Sequence, residues 1–170
     1  MMTPAERLKI PRQSMPEQKA EVRCHNFQEV NCGLATEAAR MEANRCLRCK
    51  EGKCVTGCPV GVNIPAFLMA LSEGDMVKAS DILYEANVLP GITGRVCPQE
   101  TQCESLCIRA KKGTPAAIGY LERFVADWAR KNRPDQYVPS PPSGKKVAVV
   151  GAGPAGLTCA GELAKKGHKV

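Results

Sequence analysis

The sequence predicts a mainly α-helical protein, and three observations support this prediction. Seven cysteines fall in two runs bounded by glycine and proline, which read C-x2-C-x4-C-x3-C-P over 46–59 and C-P-x4-C-x3-C over 97–107. Helical patterns precede, separate and follow these runs. A proline-rich stretch then leads to a strand, a glycine loop and a last helix. We therefore predict a helical domain over 1–132, a linker over 133–144 and an incomplete βα unit over 145–170.

The first helices are predicted from their start signals. Prolines interrupt the N-terminal residues, so we expect extended or irregular chain there. A short helix near Glu17–Arg23 has Pro16 at its start. A firmer helix runs from a candidate N-cap at Thr36 to about Arg48 and delivers the first two cysteines at its end.

Two further helices separate the cysteine runs. Asn63 can cap a helix that begins near Pro65, and Gly74 can close it. Asp75 can then cap a helix that extends to about Asn87. We interpret both helices as simple packing elements.

The second cysteine run is predicted to lie mostly in irregular chain. Residues 88–100 contain a proline and two glycines before the first cysteine of this run. A helical turn would place Cys103 and Cys107, four residues apart, on one face. A Thr-Pro pair at 114–115 then begins the longest helix, which extends to about Lys131.

The composition indicates a reducing, cytoplasmic setting. The chain has ten cysteines among 170 residues and a formal net charge of +7. No apolar stretch resembles a signal peptide or is long enough to span a membrane. Clustered cysteines in a reducing compartment more often hold metal than disulfides. The scattered basic residues favour a solvated surface over nucleic-acid binding, and acidic protein partners are the alternative.

Four interpretations of the cysteine runs compete: free thiols, disulfides, zinc and iron–sulfur clusters. Zinc is the main competitor, because C-x2-C pairs are common zinc ligands. The first run, however, lacks the long insertion that separates zinc-binding pairs. It also closes with Cys58–Pro59, as the cysteine run of bacterial-type ferredoxins closes. These features favour iron–sulfur clusters.

The spacing leaves one ligand unassigned. Two four-iron clusters need eight ligands, and the two runs supply seven cysteines. In two-cluster ferredoxins the fourth cysteine binds the other cluster. By that logic Cys46, Cys49 and Cys54 bind one cluster, and Cys58 binds the second. One cysteine of the second run must then join the first group, which leaves an open position on the second cluster.

Isolated residues outside the runs are weaker candidates for this position. Cys24, Cys32 and His25 lie upstream and could fill it. An isolated cysteine is more often a small buried hydrophobic residue, and we expect this of Cys24 and Cys32. We expect Cys159, in the last helix, to be a packing residue as well.

Glu122 is a stronger candidate, because it borders the apolar face of the longest helix. At about 100° per residue, one arc of this helix is apolar. That arc contains Ile118, Leu121, Val125, Trp128 and Ala129. Arg123, Asp127 and Arg130 are predicted to point into water. A carboxylate beside a buried face needs a partner or a metal; a pairing with a surface lysine is the equally open alternative.

Three segments carry a family resemblance: RCLRCKEGKCVTGCPVGVNIP at 45–65, LPGITGRVCPQETQCESLC at 89–107 and GYLERF at 119–124. They closely resemble the N-terminal iron–sulfur domain of the small (beta) subunit of NADPH-dependent glutamate synthase. The same domain type occurs in the flavin subunit of NADH-dependent ferredoxin:NADP oxidoreductases and in dihydropyrimidine dehydrogenase. The resemblance extends over nearly the whole chain.

The resemblance implies an alpha-helical ferredoxin-like domain that carries two [4Fe-4S] clusters beside an FAD domain and an NADPH domain. Carried over by motif, the ligands of one cluster would be Cys46, Cys49, Cys54 and Cys107. The cysteine ligands of the other would be Cys58, Cys97 and Cys103.

The fourth ligand of the second cluster is implied to be a residue other than cysteine. In dihydropyrimidine dehydrogenase it is a glutamine in the helix after the last cysteine. Aligning the two helices puts Glu122 at its position. We hypothesise that Glu122 binds or directly borders the second cluster.

The segment KKVAVVGAGPAGLTCAGELAKKG at 145–167 reads as a strand, a G-x-G-x-x-G loop and a helix. In this Rossmann-type pattern Gly151 makes the tight turn, Gly153 lets the backbone approach a pyrophosphate, and Gly156 permits close packing of helix on strand. The family resemblance indicates FAD. The acidic residue expected about twenty residues further on is not in the sequence. We therefore expect a piece of a longer flavoprotein that does not itself retain FAD.

The function implied by the resemblance is electron transfer. In the full-length protein NADPH would reduce FAD, and electrons would pass through the clusters to the large subunit of glutamate synthase. The piece alone is expected to be inactive. Alternatives are the flavin subunit of a ferredoxin:NADP oxidoreductase, a sulfide dehydrogenase, and a zinc-stabilised helical interaction domain.

Overall fold

The computed structural model describes residues 2–111, 113–133 and 140–170. Residues 134–139 of the predicted linker lie outside the described residues. The described chain is mainly helical, as predicted. Its α-helices are α1 (Pro4–Lys9), α2 (Ala20–Arg23), α3 (Thr36–Asn44), α4 (Lys53–Thr56), α5 (Ile64–Glu73), α6 (Met76–Ala86), α7 (Pro90–Val96), α8 (Ile118–Asn132) and α9 (Pro154–Lys165). Two short 3₁₀ helices span Gln99–Thr101 and Ile108–Lys111.

Helices α5 and α6 follow their predicted caps. The side chain of Asn63 accepts a hydrogen bond from the Ala66 N–H, and that of Asp75 accepts one from the Lys78 N–H. Gly74 ends α5 in the left-handed conformation, with φ 87°. A residue without Cβ adopts this conformation at little cost. The local sequence therefore determines both boundaries.

Two helices form where irregular chain was predicted. Helix α1 begins with a capping box, in which Thr3 and Glu6 bond each other's backbone N–H groups. Helix α7 begins at Pro90, where a fixed φ favours the first helical turn. Tertiary packing of its two glycines offsets their low helix propensity.

Other predicted boundaries were wrong by several residues. Helix α3 ends at Asn44 rather than near Arg48, so the first two cysteines follow the helix in irregular chain. Helix α8 begins at Ile118 rather than at the Thr-Pro pair. Thr114 instead accepts a hydrogen bond from the buried guanidinium of Arg45. The predicted helical turn around the last two cysteines is a series of turns between the 3₁₀ helices.

The core lies where α3, α5, α6 and α8 meet. Phe67, Leu71, Leu83, Leu121 and Val125 are fully buried there. Helix α7 packs against α8 at Gly94, where a Cβ would lie 2.6 Å from the backbone nitrogen of Arg123. This close approach sets the position of the α7 side chains that face the candidate site.

Residues 145–170 form less secondary structure than predicted. Helix α9 is present, but the predicted strand over the VAVV segment is not formed among the described residues. Lys146 and Lys169 make a single parallel bridge, with hydrogen bonds on either side of it. Val150 is 98% exposed. A strand needs neighbours on both edges to be buried, and only one short neighbour is available here.

Candidate metal centre

Four cysteines surround one cavity. The cavity has a volume of about 140 Å³, and its lining includes Cys46, Cys49, Cys54 and Cys107. The set is the one that the family resemblance implies for one cluster. We call this cavity the first site.

The first site is built from both cysteine runs. Cys46 and Cys49 lie in the irregular chain after α3, and Cys54 lies on α4. Arg48 between the first two has φ 54°, a left-handed conformation that is costly for a residue with a side chain. It turns its backbone N–H toward Cys46 Sγ, at 3.4 Å. The strained turn therefore orients a donor toward a sulfur of the site.

The thiols of the first site are poorly solvated. Burial raises the pKa of Cys46, and it raises that of Cys54 to about 12. The charges of neighbouring thiolates raise both further. Thiolates at these positions consequently require a cation, and iron or another thiophilic metal can supply it.

The remaining cysteines of the two runs form a second group with Glu122. Burial raises the pKa of Cys97, and the charges of Glu122 and Cys58 raise it further. Burial also raises the pKa of Cys103 to about 12, with contributions from Glu104, Cys58 and Glu122. Cys58 and Glu122 therefore both lie within electrostatic reach of Cys97 and of Cys103. We call this group the second site.

A glycine allows the two runs to meet at the second site. Gly57 directly precedes Cys58, and a Cβ on it would lie 2.9 Å from Leu106 Cδ1 and 3.1 Å from Cys103 Cα. Any larger residue would push the two loops apart. Cys58 can therefore approach Cys103 only because residue 57 lacks a side chain.

Glu122 is held at the second site by two neutral donors. Its Oε1 accepts hydrogen bonds from Thr93 Oγ1 and from Asn87 Nδ2, the latter at 3.1 Å. Burial raises its pKa, while the two hydrogen bonds oppose that effect. Among the described residues no donor reaches Oε2 and no basic side chain pairs with the carboxylate. An oriented carboxylate with a free oxygen can serve as a metal ligand.

The ligand sets do not converge as the ligands of a single ion do. In the described part of the chain no three His, Cys, Asp or Glu side chains are close enough to bind one metal ion. A [4Fe-4S] cluster spreads its ligands over separate irons, one ligand for each. A tetrahedral zinc site is therefore not preformed among the described residues.

Several predictions about side-chain environment were wrong. Cys24, Cys32 and Cys159 are exposed rather than packed as small hydrophobic residues. Arg123 is buried rather than solvated, and it donates to the carbonyl of Asn31 and pairs with Glu29. Arg123 can be buried because Glu29 and Asn31, in a segment that packs beside α8, provide its polar partners. Helical periodicity contains no information about these partners.

The glycine loop has the backbone features of its pattern. Gly151 has φ 112°, and a Cβ on Gly156 would clash with the Gly151 carbonyl oxygen. A Cβ on Gly153 would meet nothing within 4 Å among the described residues. The loop is therefore open on the side where a phosphate would approach the backbone.

Four residues near the sites were missed by sequence reasoning. Asn87 and Thr93 orient Glu122, and Arg7 and Arg109 lie behind the first site. The one sequence signal that could have predicted a helix around Thr93 is Pro90, at the first position of α7. No local pattern distinguishes the two arginines from surface residues.

Comparison with known proteins identifies a matching family model and several relatives. The model describes dihydropyrimidine dehydrogenase domain II, 4Fe-4S cluster, and matches residues 23–134. The chain is 40% identical over 154 residues to UacF of Escherichia coli K12, which is named as an oxidoreductase. It is 36% identical over 162 residues to the glutamate synthase [NADPH] small chain of Escherichia coli K12. It is 34% identical over 142 residues to PreT of Escherichia coli K12, an NAD-dependent dihydropyrimidine dehydrogenase subunit.

These alignments extend over most of this chain but over a small part of each relative. They include 89%, 94% and 84% of this chain, respectively. The chain spans 24% of the length of UacF, 34% of the glutamate synthase small chain and 34% of PreT. No helix of the described residues is long and apolar enough to cross a membrane.

Proposed function

Because the chain belongs to the family of dihydropyrimidine dehydrogenase domain II, 4Fe-4S cluster, we propose that it is the electron-transfer module of an NADPH-oxidising iron–sulfur flavoprotein, in which electrons pass from NADPH through FAD and two [4Fe-4S] clusters to a protein acceptor. Its relatives are oxidoreductases, and an iron–sulfur electron-transfer domain is what the family membership establishes. The acceptor that we propose is the large subunit of a glutamate synthase. The similarity to glutamate synthase small chains over 94% of this chain supports that choice.

The proposed ligands are divided between the two sites. Cys46, Cys49, Cys54 and Cys107 would hold one cluster, and Cys58, Cys97, Cys103 and Glu122 the other. The observation that best supports this division is the cavity whose lining includes the first four cysteines. The clusters, when bound, would supply one-electron transfer without bond making or breaking in a substrate.

The contribution of the chain itself is to hold the ligands and exclude water. Cys103 is 7% exposed, and burial raises the pKa of several of the thiols. A poorly solvated site keeps solvent away from the sulfurs and lowers the local dielectric constant. Helices α3, α5 and α8 provide the rigid core on which both cysteine loops rest.

The glycine loop is proposed to bind the pyrophosphate of FAD in the full-length protein. Gly151, Gly153 and Gly156 would let the loop and the start of α9 approach the phosphates. The described residues provide one bridge instead of a sheet, so we propose that the 170-residue chain does not retain flavin and is inactive by itself. Flavin absorbance that persists through gel filtration would contradict this.

Two alternatives differ in the acceptor or in the metal. The similarity to PreT supports a flavin subunit that serves another oxidoreductase, and ferredoxin:NADP oxidoreductase or sulfide dehydrogenase subunits are of the same kind. A zinc-stabilised helical interaction domain would have no redox function. Neighbouring genes and activity with a purified acceptor discriminate the first alternative, and metal content discriminates the second.

The decisive experiment is metal and sulfide analysis of protein purified and reconstituted anaerobically. We expect about eight irons and about eight sulfides per chain, corresponding to two four-iron clusters. In Cys54→Ala we expect about half of this content, while Cys159→Ala serves as a control with unchanged content. Stoichiometric zinc and no acid-labile sulfide would contradict the proposal.

A further inference from the structure

We propose that Arg109, together with Arg7, raises the reduction potential of the cluster at the first site and makes it the higher-potential centre of the two. This inference rests on the proposed function, since it requires clusters at both sites. It assigns to two buried arginines a positioning and electrostatic role that the ligand pattern does not contain.

Arg109 is a buried cation at the wall of the first site. It lines the cavity and is 8% exposed. Its Nη1 donates to the carbonyl oxygens of Arg7 at 2.8 Å and of Arg45 at 3.3 Å. Its Nε has no hydrogen-bond partner among the described residues. A buried N–H donor without an acceptor is rare in folded proteins, and an acceptor in the cavity would satisfy it.

Arg7 reaches the same wall from the other end of the chain. It is 3% exposed, and its Nη1 donates to the carbonyl oxygens of Asn44 at 3.0 Å and of Cys46 at 3.2 Å. It therefore contacts the backbone of a candidate ligand directly. The two arginines also contact each other through the Arg7 carbonyl.

Neither guanidinium forms an ion pair in the described part of the chain. Among those residues no carboxylate lies within 4.0 Å of Arg7 or Arg109, whereas the buried Arg45 and Arg123 each pair with a glutamate. Burial and the nearby charge of Arg45 lower the pKa of Arg109, and the charges of Cys107, Glu42 and Cys46 oppose that effect. Arginine nevertheless stays charged in proteins. A buried charge of this kind is costly unless an anion lies nearby, and four thiolates around a cluster would be that anion.

The second site has no unpaired buried arginine beside it in the described residues, because the other buried arginines, Arg45 and Arg123, each pair with a glutamate. The carboxylates near its cysteines are Glu122, which acts on Cys97 and Cys103, and Glu104, which acts on Cys103. Arg12 pairs with Glu104 at 3.0 Å and offsets its charge. Glu122 has no such partner among the described residues. Because Glu122 would itself take the place of a fourth thiolate, the two ligand sets carry equal charge, and the sites differ by the two arginines beside the first one.

The consequence for redox behaviour follows from charge alone. One-electron reduction at either site adds one negative charge and involves no proton or bond exchange. A fixed positive charge beside the site stabilises the reduced form more than the oxidised form, and a carboxylate does the reverse. An electron distributed over both sites should therefore reside mainly at the first site.

The test is a potentiometric titration followed by EPR on the anaerobically reconstituted chain, with dithionite as reductant. Cys49→Ser identifies the signal of the first site by altering it. We expect Arg109→Gln to lower the midpoint potential of that signal, and Arg109→Lys to restore most of the difference. Arg7→Gln should lower it as well. Arg123→Gln removes an equally buried arginine that pairs with Glu29, and it should leave the first signal unchanged.

The outcomes separate this inference from the function on which it rests. An unchanged midpoint potential in both Arg109→Gln and Arg7→Gln, at full iron content, would overturn the inference and leave the function intact. If Arg109→Gln does not load iron, Arg7→Gln decides by the same measurement. Wild-type protein that binds no iron and sulfide would overturn both.

Discussion

Glu42 and Arg45 form a buried ion pair that connects three separate segments of the chain. The two side chains are 0% and 1% exposed. Glu42 accepts hydrogen bonds from the N–H groups of Gln13 and Ala117, and Arg45 donates to the carbonyls of Ile10 and Thr114. Removal of either partner would leave the other buried without a counter-charge, bonded only to neutral groups.

We expect Glu42→Ala to lower the free energy of unfolding by about 3–5 kcal/mol, because it isolates the Arg45 charge. Urea denaturation followed by circular dichroism measures this change. Asp81→Ala removes a carboxylate that is 58% exposed in its pair with Arg133, and we expect a loss below about 1 kcal/mol. Equal effects of the two variants would show that the buried pair has no special role.

A second prediction at the residue scale concerns Glu122. We expect Glu122→Ala to lose about half of the iron of the reconstituted chain, because the second site then has three thiolates and no fourth ligand. Glu122→Gln keeps an oxygen donor and should retain the iron. Iron analysis and EPR measure both, with Glu100→Ala as the control at an exposed acidic position. If Glu122→Ala and the wild type have identical iron content and spectra, Glu122 is not a ligand.

At this scale the sequence predicts ligand candidates better than it predicts their surroundings. The cysteines and Glu122 could be selected from spacing, helical periodicity and family resemblance. The burial of Arg7, Arg109 and Arg123 could not, because it depends on carbonyl groups that are distant in sequence. From sequence alone an isolated charged residue is predicted to be solvated, because the carbonyl groups that accept its hydrogen bonds come close only in the folded chain.

At the scale of elements, the packing of α7 on α8 is decisive for the second site. Gly94 lets the two helices approach, and Thr93 beside it reaches Glu122 on α8. Helix α7 escaped prediction because local propensity disfavours two glycines in seven residues. Helices α5 and α6 were predicted because their caps are local. Sequence patterns therefore locate helices that have capping residues at their ends, and they miss helices whose formation depends on close packing.

We expect Gly94→Ala to lower the free energy of unfolding by about 1–3 kcal/mol, because its Cβ would overlap the α8 backbone. We also expect a changed EPR signal from the second site, since Thr93 and Glu122 would separate. Gly91→Ala is the matched control on the same helix, where a Cβ would lie 3.9 Å from Ala126 Cβ in ordinary contact. Similar effects of the two substitutions would contradict this account of the crossing.

At the scale of the whole molecule, the two sites connect segments that are otherwise joined by few regular elements. The cysteine loops are held by turns and short helices, and three of the seven run cysteines come from 97–107. Metal binding should therefore contribute to the stability of the folded state. The helical class and the order of most helices were predictable from sequence, whereas the strand pattern over 145–150 gives only one bridge among the described residues, because one strand and one helix provide no partners for a sheet.

We expect the reconstituted chain to unfold at a higher temperature than the metal-free chain, because ligands that bind only the folded state stabilise it. Anaerobic thermal denaturation monitored by circular dichroism compares the two forms. Addition of an iron chelator after mild oxidation should return the midpoint to the metal-free value. The same midpoint in both forms would show that the sites form independently of metal.

The N-terminal residues have a consequence for how this module could be excised and transplanted. The matched family region begins at residue 23, yet Arg7 contacts the first site and the carbonyls of Leu8 and Ile10 accept from Arg109. A fragment that begins at the family boundary would lack Arg7 and the carbonyl groups of Leu8 and Ile10. A cluster at the first site of this fragment would be exposed to solvent on the side that Arg7 covers, and dioxygen would reach it more easily. The physical limit of the unit is therefore set by the acceptors of Arg109, and a transplant should begin before α1.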